Sequence, residues 1–324
     1  MTDVETARRE SGTGLREPEN EPVGIAPRAR TVPITSRAAA PSRGPRAPGL
    51  RRSDVGTVFN RGLLTFAVAV LAFFFFLLTP SALQHGRIQA GLVRRFRADL
   101  ATERAPIGGL IPTGDPVALI EIPAIGVHEI VVQGTSSGVT RAGPGHLAAS
   151  VLPGQLGNSV VFGRDLAYGG PFRHLGSLQS GDEIRVTTGQ GTARYSFVSE
   201  SLQAAGTAQE VQPTTSGRLT LVTSDPAVLA SRYRVAIARL DSDPFTATGH
   251  ASTIGRADLG LTGDPSVAPT VFVWLLFAAL IGATAVVAFR RASRASAWLV
   301  VAPLVLVAAW LVFENLVVLL PATL

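Results

Sequence analysis

The chain has 324 residues, of which 46% are apolar, and its mean hydropathy is +0.31, so it is more apolar than an ordinary soluble domain. The formal net charge is +6, yet all 29 basic residues are Arg, which is typical of a GC-rich codon bias. The charge therefore does not indicate nucleic-acid binding. Cys is absent, which excludes disulfides, thiolate metal ligands and any Cys nucleophile.

The N-terminal residues 1–57 are rich in Pro, Gly, Ser, Ala and Arg, a composition typical of disordered segments. Residues 28–61 contain eight Arg and one acid, Asp54. Because Arg next to a membrane span favours the cytoplasmic side, the sequence predicts a disordered cytoplasmic tail.

Three apolar runs, uncharged except for Glu314 in the last, are long enough to cross a bilayer, which takes ~20 helical residues. The first run covers residues 62–82 and lies within a predicted signal anchor at 58–82. The other two runs are predicted transmembrane helices at 267–289 and 296–320. The turn between the last two, residues 290–295, contains Arg290, Arg291 and Arg294. This pattern predicts a multi-pass plasma-membrane protein with its N-terminus and this turn in the cytoplasm and its middle domain outside.

Residues 83–104 predict a stalk helix that rises from the membrane. The apolar residues Leu83, Ile88, Leu92, Phe96 and Leu100 recur at helical spacing.

Short β-rich runs bounded by Gly and Pro fill the next region, and residues 105–240 are predicted to form one domain. The runs are residues 117–123, 128–133, 158–163, 182–188, 193–199, 218–224 and 233–240. They predict an all-β ectodomain with a closed or nearly closed antiparallel barrel. Residues 241–266 predict a polar linker back to the membrane, and the absence of a P-loop, dinucleotide fingerprint or HExxH motif predicts no metal and no cofactor.

Three segments of this domain follow one another in a recognisable order: ALIEIPAIGV, then the stretch from GTSSGVTRAGPGHL through NSVVFGRDLAYGGPFRHL, then LTLVTSDP. They resemble the sortase family. The resemblance implies an eight-stranded barrel in which a Cys at a strand end, a His in a loop and an Arg on the following strand cleave a sorting signal and transfer it to an amine. The N-terminal anchor and stalk are similar to the actinobacterial, class E-like housekeeping type.

Two catalytic positions of the family are substituted in this chain. The family's TLxTC reads TLVTS here, so Ser224 stands at the Cys position. The family's GHR corresponds to residues 163–165, so Arg164 stands at the His position. The family's Arg corresponds to Arg232 or Arg234, and spacing does not decide between them.

The same comparison assigns three residues to the substrate groove of the family. Thr220 and Thr223 match the TLxTC motif, and Asp165 follows the position of the family's His. The resemblance therefore implies that Thr220, Thr223 and Asp165 line the groove.

The substitutions change the chemistry that the site can perform. A Ser hydroxyl needs a positioned base, and a guanidinium stays protonated up to a pKa above ~12, so Arg164 cannot act as that base. General acid/base help is typically worth ~10² to 10⁴ in rate. We therefore expect a non-catalytic pseudo-sortase that binds or organises cell-surface proteins or sorting-signal-like peptides of the LPxTG or LAxTG kind.

Two alternatives remain open from the sequence. One is a serine-dependent sortase-type transpeptidase or hydrolase that uses Ser224 with a base not identified. His146 and His174 favour structural roles, His128 favours a surface or edge position, and an ordinary carboxylate is a weak base. The other is a subunit of a transport or membrane complex, supported by Glu314 near the end of the last span and by the two additional C-terminal helices. The oligomeric state is also left open.

Overall fold

The computed structural model describes residues 52–204, 212–225, 232–247, 249, 263–291 and 294–324. The chain divides into two compact units, residues 1–55 and 56–324, and the features below belong to the second apart from residues 52–55. The predicted tail up to residue 51, and residues 250–262 of the predicted linker, lie outside the described residues.

The described elements are helices at both ends of the chain and strands between them. The helices are α1 (Arg52–Leu78), α2 (Pro80–Ala101), α3 (Ala268–Arg291) and α4 (Arg294–Leu319). The strands are β1 (Pro116–Ile122), β2 (Val127–Gln133), β3 (Gly145–His146), β4 (Asn158–Phe162), β5 (Glu183–Thr188), β6 (Gly191–Ala204), β7 (Arg218–Asp225) and β8 (Arg232–Leu240).

The eight strands form a closed barrel in the order β1-β2-β3-β4-β7-β8-β6-β5. Alternate residues of the strands point inward, and the barrel interior is filled by buried aliphatic and aromatic side chains such as Val117, Ile120, Ile184, Leu219 and Leu221. Because a closed barrel leaves no free sheet edge, the strand ends and their loops are where a site can be built.

The predicted barrel is confirmed, with two differences. The predicted antiparallel arrangement is wrong for two pairs, since β2 pairs with β3 and β4 pairs with β7 in parallel. Period-two alternation reports which side chains face the core but not the direction of the neighbouring strand, and β3 is only two residues long. The all-β class is also inexact, because four α-helices accompany the barrel in the described part of the chain.

The first two helices are separated at Thr79 and Pro80. The predicted boundary between anchor and stalk was residue 82, but α1 ends at Leu78 and Pro80 stands in the first turn of α2. Proline lacks an N–H donor and clashes with the preceding turn, so it begins a helix far more readily than it continues one.

Helix α2 packs against the barrel wall and is not a free stalk. Gln89 Nε2 donates to Ile130 O at 3.1 Å, and Ile130 N donates to Gln89 Oε1 at 2.8 Å. Phe96 is buried with Ala105 and Ile130 in a small apolar cluster. The predicted apolar face of this helix differs from the observed buried face, because Leu83 is exposed and the polar residue Gln89 is buried.

Among the residues that the structure describes, three helical stretches are long and apolar enough to cross a membrane: Gly62–Ala101, Pro265–Arg291 and Ala297–Leu319. Helices α1 and α4 meet through the aromatic pairs Phe73–Phe313 and Phe76–Trp310, with ring centroids 5.4 Å and 5.1 Å apart. This arrangement is consistent with a membrane-anchored protein.

Helix α4 is also tied to the barrel. Glu314 Oε1 accepts hydrogen bonds from Arg141 Nη1 at 3.1 Å and Gln84 Nε2 at 3.2 Å. Val317 packs with Ala167 and Tyr168, which belong to the loop after β4. Glu314 therefore joins the last helix to a barrel loop, so its position gives no added support to a transport role.

Candidate functional site

A pocket of about 380 Å³ opens where β7 ends beside the loop that follows β4. Its lining residues are mostly polar or charged: Asp165, Arg173, His174, Gly176, Ser177, Ser224, Asp225 and Arg234. Five of them carry charge or can acquire it, and two, Ser177 and Ser224, have a hydroxyl group. The barrel places these groups together because the loop 163–177 and the ends of β7 and β8 meet at one end of the sheet.

Ser224 lies one residue before the end of β7 and is only 2% exposed. Its Oγ donates a hydrogen bond of 2.7 Å to the backbone oxygen of Thr323. The Asp165 N–H donates to the same oxygen at 3.0 Å. The Ser224 proton therefore points to a peptide carbonyl and is not given to a base.

Of the two arginines that spacing left open, Arg234 lines the pocket and Arg232 is exposed. Arg234 Nη1 lies 2.9 and 2.8 Å from the two carboxylate oxygens of Glu200, and Nη2 donates to Asp225 Oδ2 at 2.7 Å. Although burial alone lowers it, these two carboxylates raise the pKa of Arg234. Its charge is therefore matched by two neighbouring carboxylates within the chain.

Arg164 is fully buried and does not line the pocket. Its Nη2 donates to Ser137 O at 2.7 Å and to Ser137 Oγ at 3.1 Å, and its guanidinium carbon lies 5.1 Å from the Tyr168 ring centroid. Burial lowers the pKa of Arg164 to about 10. Within the described part of the chain, its Nε and Nη1 atoms have no hydrogen-bond partner. Arg164 is thus a cation beneath the site and still protonated at neutral pH.

Asp165, which the resemblance assigned to the groove, lies in the pocket with Ser224, and so does His174, for which the sequence favoured a structural role. Burial raises the pKa of Asp165 to about 6, with Asp225 acting in the same direction, while Arg173 and Arg234 oppose the shift. A carboxyl group with this pKa is a better proton acceptor near neutral pH than an ordinary aspartate.

The predicted groove residues Thr220 and Thr223 do not line the pocket. Both are buried, and Thr220 Oγ1 donates to Asn158 Oδ1 at 2.7 Å, which links β7 to β4. Thr223 pairs with Arg234 across the strands and is 1% exposed. A motif match identifies strand residues but not which face of the strand meets the pocket, and only Asp165 of the three faces it.

The sequence reasoning missed the segment 321–324, which reaches this site from the end of α4. Ala322, Thr323 and Leu324 are at most 2% exposed. The signal was present in the residues, because Leu320–Leu324 reads Leu-Pro-Ala-Thr-Leu, whose first four residues agree with the LPxTG-like pattern.

Comparison with known proteins gives a match for residues 120–240 to the family model described as the sortase domain. A curated relative, Sortase D of Bacillus subtilis (strain 168), is 33% identical over 87 residues, which are 26% of this chain and 42% of that protein. The match thus spans less than half of the relative's length.

Several solved structures are also similar. A Clostridium perfringens Sortase D5 transpeptidase has 23% identity and a TM-score of 0.43, covering 48% of this chain and 99% of that chain. Sortase E from Streptomyces avermitilis has 30% identity and a TM-score of 0.37, with coverages of 41% and 91%. A lid mutant of sortase A from Corynebacterium diphtheriae has 22% identity and a TM-score of 0.38, with coverages of 49% and 97%.

Proposed function

We propose that this protein, whose residues 120–240 match the sortase domain model, is a membrane-anchored pseudo-sortase that binds a cell-surface protein or a sorting-signal-like peptide without turning it over. The hydrogen bond from Ser224 Oγ to the Thr323 carbonyl oxygen supports this proposal most directly. A hydroxyl that donates to a peptide carbonyl recognises a peptide, whereas a nucleophile must give its proton to a base.

The position of Arg164 gives further support. The resemblance implies a His here, and this chain has a buried guanidinium that points to Ser137. With its pKa near 10, Arg164 neither accepts the Ser224 proton nor releases one to a leaving amine at neutral pH. The site therefore lacks the acid/base partner that the family arrangement requires at this position.

We place the barrel outside the cell and the N-terminal tail in the cytoplasm. The Arg-rich segment 28–61 precedes the first apolar helix, and Arg290, Arg291 and Arg294 lie between the last two. A partner at this site is then a surface protein close to the membrane, because the loop after β4 packs on α1 and α4. The anchor at the N-terminal side is similar to that of an actinobacterial, class E-like sortase.

One specific observation favours a second candidate, a serine-dependent transpeptidase or hydrolase. Asp165, with its pKa near 6, and His174 share the pocket with Ser224 and are the two groups there suited to accept its proton. Asp225 is less suited to accept this proton, because its Oδ2 already accepts a hydrogen bond from Arg234. This candidate needs the Ser224 hydroxyl to turn away from Thr323.

The two candidates are separated by turnover of a peptide. The full chain in detergent micelles is incubated with an LPxTG-like peptide and an amine acceptor, and the products are separated by liquid chromatography. We expect neither hydrolysis nor transfer, and Ser224→Ala should behave like the wild type. A product that forms with the wild type and disappears in Ser224→Ala would establish the serine enzyme.

A further inference from the structure

The segment that follows α4 packs beside the pocket and contacts two of its lining residues, Ser224 and Asp165, through its backbone. Pro321–Leu324 forms a tight turn, in which Leu324 N donates to Pro321 O at 3.1 Å. Ala322 and Thr323 are 0% exposed and Leu324 is 2% exposed. A segment that merely rested on the surface would keep one face in solvent, so this turn is enclosed by the domain.

The domain holds the turn through its backbone oxygens. Thr140 Oγ1 donates to Ala322 O at 2.8 Å, and Ser224 Oγ donates to Thr323 O at 2.7 Å. The N–H groups of Asp165 and Ala167 each donate at 3.0 Å, to Thr323 O and Leu324 O respectively. Donors from three separate parts of the fold therefore converge on three successive carbonyls. This pattern recognises a peptide main chain.

Among the described residues, one buried polar atom of the segment is left without a hydrogen bond. Thr323 Oγ1 is buried and has no hydrogen-bond partner in the part of the chain that the structure describes. An unpaired buried hydroxyl lowers the stability of the docked state. Covalent attachment to α4 offsets this loss, because a tethered ligand acts at high effective concentration.

We propose that residues 320–324 are an intramolecular ligand of the groove formed by Thr140, Ser224 and the loop 165–167. The segment shields Ser224 and must leave before a second peptide binds there. The inference rests on the proposed peptide-binding function and adds its regulation. The occupant is a Leu-Pro-x-Thr turn recognised through its carbonyls, and a peptide of the same chemistry is the competitor in trans. Movement of α4, which carries the segment and contacts Arg141 through Glu314, would open or close the groove.

Thiol accessibility tests the proposal without background, because the chain contains no Cys. The Ser224→Cys variant of the full chain in detergent micelles is treated with iodoacetamide, and intact mass gives the alkylation rate. The same substitution is then made in a chain that lacks residues 321–324. We expect the deletion to raise the rate at least tenfold. An equal rate in both chains would overturn the proposal.

Two further variants show whether the change in rate comes from loss of the docked segment and not from general loosening of the domain. Ser177→Cys is the matched control, since Ser177 lines the same pocket but is exposed, and its alkylation should not change with the deletion. Thr140→Val keeps the whole chain and its shape while removing the hydrogen bond to Ala322 O. In the Ser224→Cys background it should raise the rate about fivefold, equivalent to ~1 kcal/mol. If the deletion variant unfolds, an unchanged rate in Thr140→Val overturns the proposal by itself.

A peptide in trans separates this inference from the proposed function. The probe is synthetic acetyl-Leu-Pro-Ala-Thr-Leu-amide, added to the deletion variant that carries Ser224→Cys. Protection of the thiol supports both statements. A deletion that raises alkylation, with no protection by the peptide, supports the intramolecular ligand and counts against peptide binding as the function of the protein.

Discussion

The buried charge of Arg164 makes a quantitative prediction for the substitution Arg164→Met. Burial lowers the pKa of Arg164 to about 10, which corresponds to ~3 kcal/mol of unfavourable charge burial. Methionine also loses the hydrogen bonds to Ser137 and the contact with the Tyr168 ring, each contributing ~1 kcal/mol. The terms nearly cancel, so we expect Arg164→Met to leave the free energy of unfolding unchanged or to raise it by up to ~2 kcal/mol.

Pulse proteolysis of the full chain in detergent and urea measures this difference. Arg164→Ala, which removes the charge but leaves a cavity, should lower the free energy of unfolding by ~2 to 4 kcal/mol. Arg194→Met is the control, because Arg194 is exposed and should change stability by less than ~0.5 kcal/mol. If Arg164→Met destabilises the protein as much as Arg164→Ala, the guanidinium is neutralised in the native protein and the reasoning is refuted.

The pH dependence of the same variant has a defined sign. The folded pKa of Arg164, about 10, lies below the unfolded value, so above about pH 10 the unfolded chain binds more protons and wild-type stability rises with pH. The advantage of Arg164→Met should therefore shrink above pH 10.

Three other predictions concern topology, titration and shape. Protease added to intact protoplasts should remove the barrel and spare the N-terminal tail, as detected with tags on each, and protection of the barrel would reverse the orientation. The pKa of Asp165 is near 6 in the folded protein and 3.8 in the unfolded chain, so its contribution to stability should decline by ~1 to 2 kcal/mol as pH rises from about 4 to 6, after allowance for its partial exposure. Urea unfolding of Asp165→Asn should lack this decline. A pH profile identical to that of the wild type would contradict the assigned shift. A Cβ at Gly176 would lie 2.5 Å from Arg234 Nη1, so Gly176→Ala should displace the guanidinium from Glu200. In the alkylation assay with added peptide, this change should weaken protection of the Ser224→Cys thiol several-fold. Unchanged protection would mean that Arg234 plays no part in the groove.

The barrel was predictable because its signals are local. Seven of the strands are runs of β-favouring residues between Gly and Pro boundaries, and β3 escaped notice because two residues are too short to form such a run. The ambiguity between Arg232 and Arg234 had a physical origin. They have the same parity on β8, and only the distance from the strand end places Arg234 opposite Thr223 and leaves Arg232 exposed.

The site was less predictable because it depends on tertiary contacts. Nothing local to Arg164 shows that its side chain points to Ser137 and away from the pocket. The raised pKa of Asp165 comes from burial, which the sequence does not contain. The contact between Ser224 and Thr323 joins residues 99 positions apart in the chain, and only the folded protein brings them together.

The central claim is that Ser224 recognises a peptide and is not an activated nucleophile. The most direct test is labelling by a fluorophosphonate probe of the chain that lacks residues 321–324, read by intact mass and peptide mapping. Alkylation of the Ser224→Cys form of the same chain shows that position 224 is accessible. The account predicts no adduct on Ser224. An adduct at Ser224 that is absent from Ser224→Ala would contradict the account.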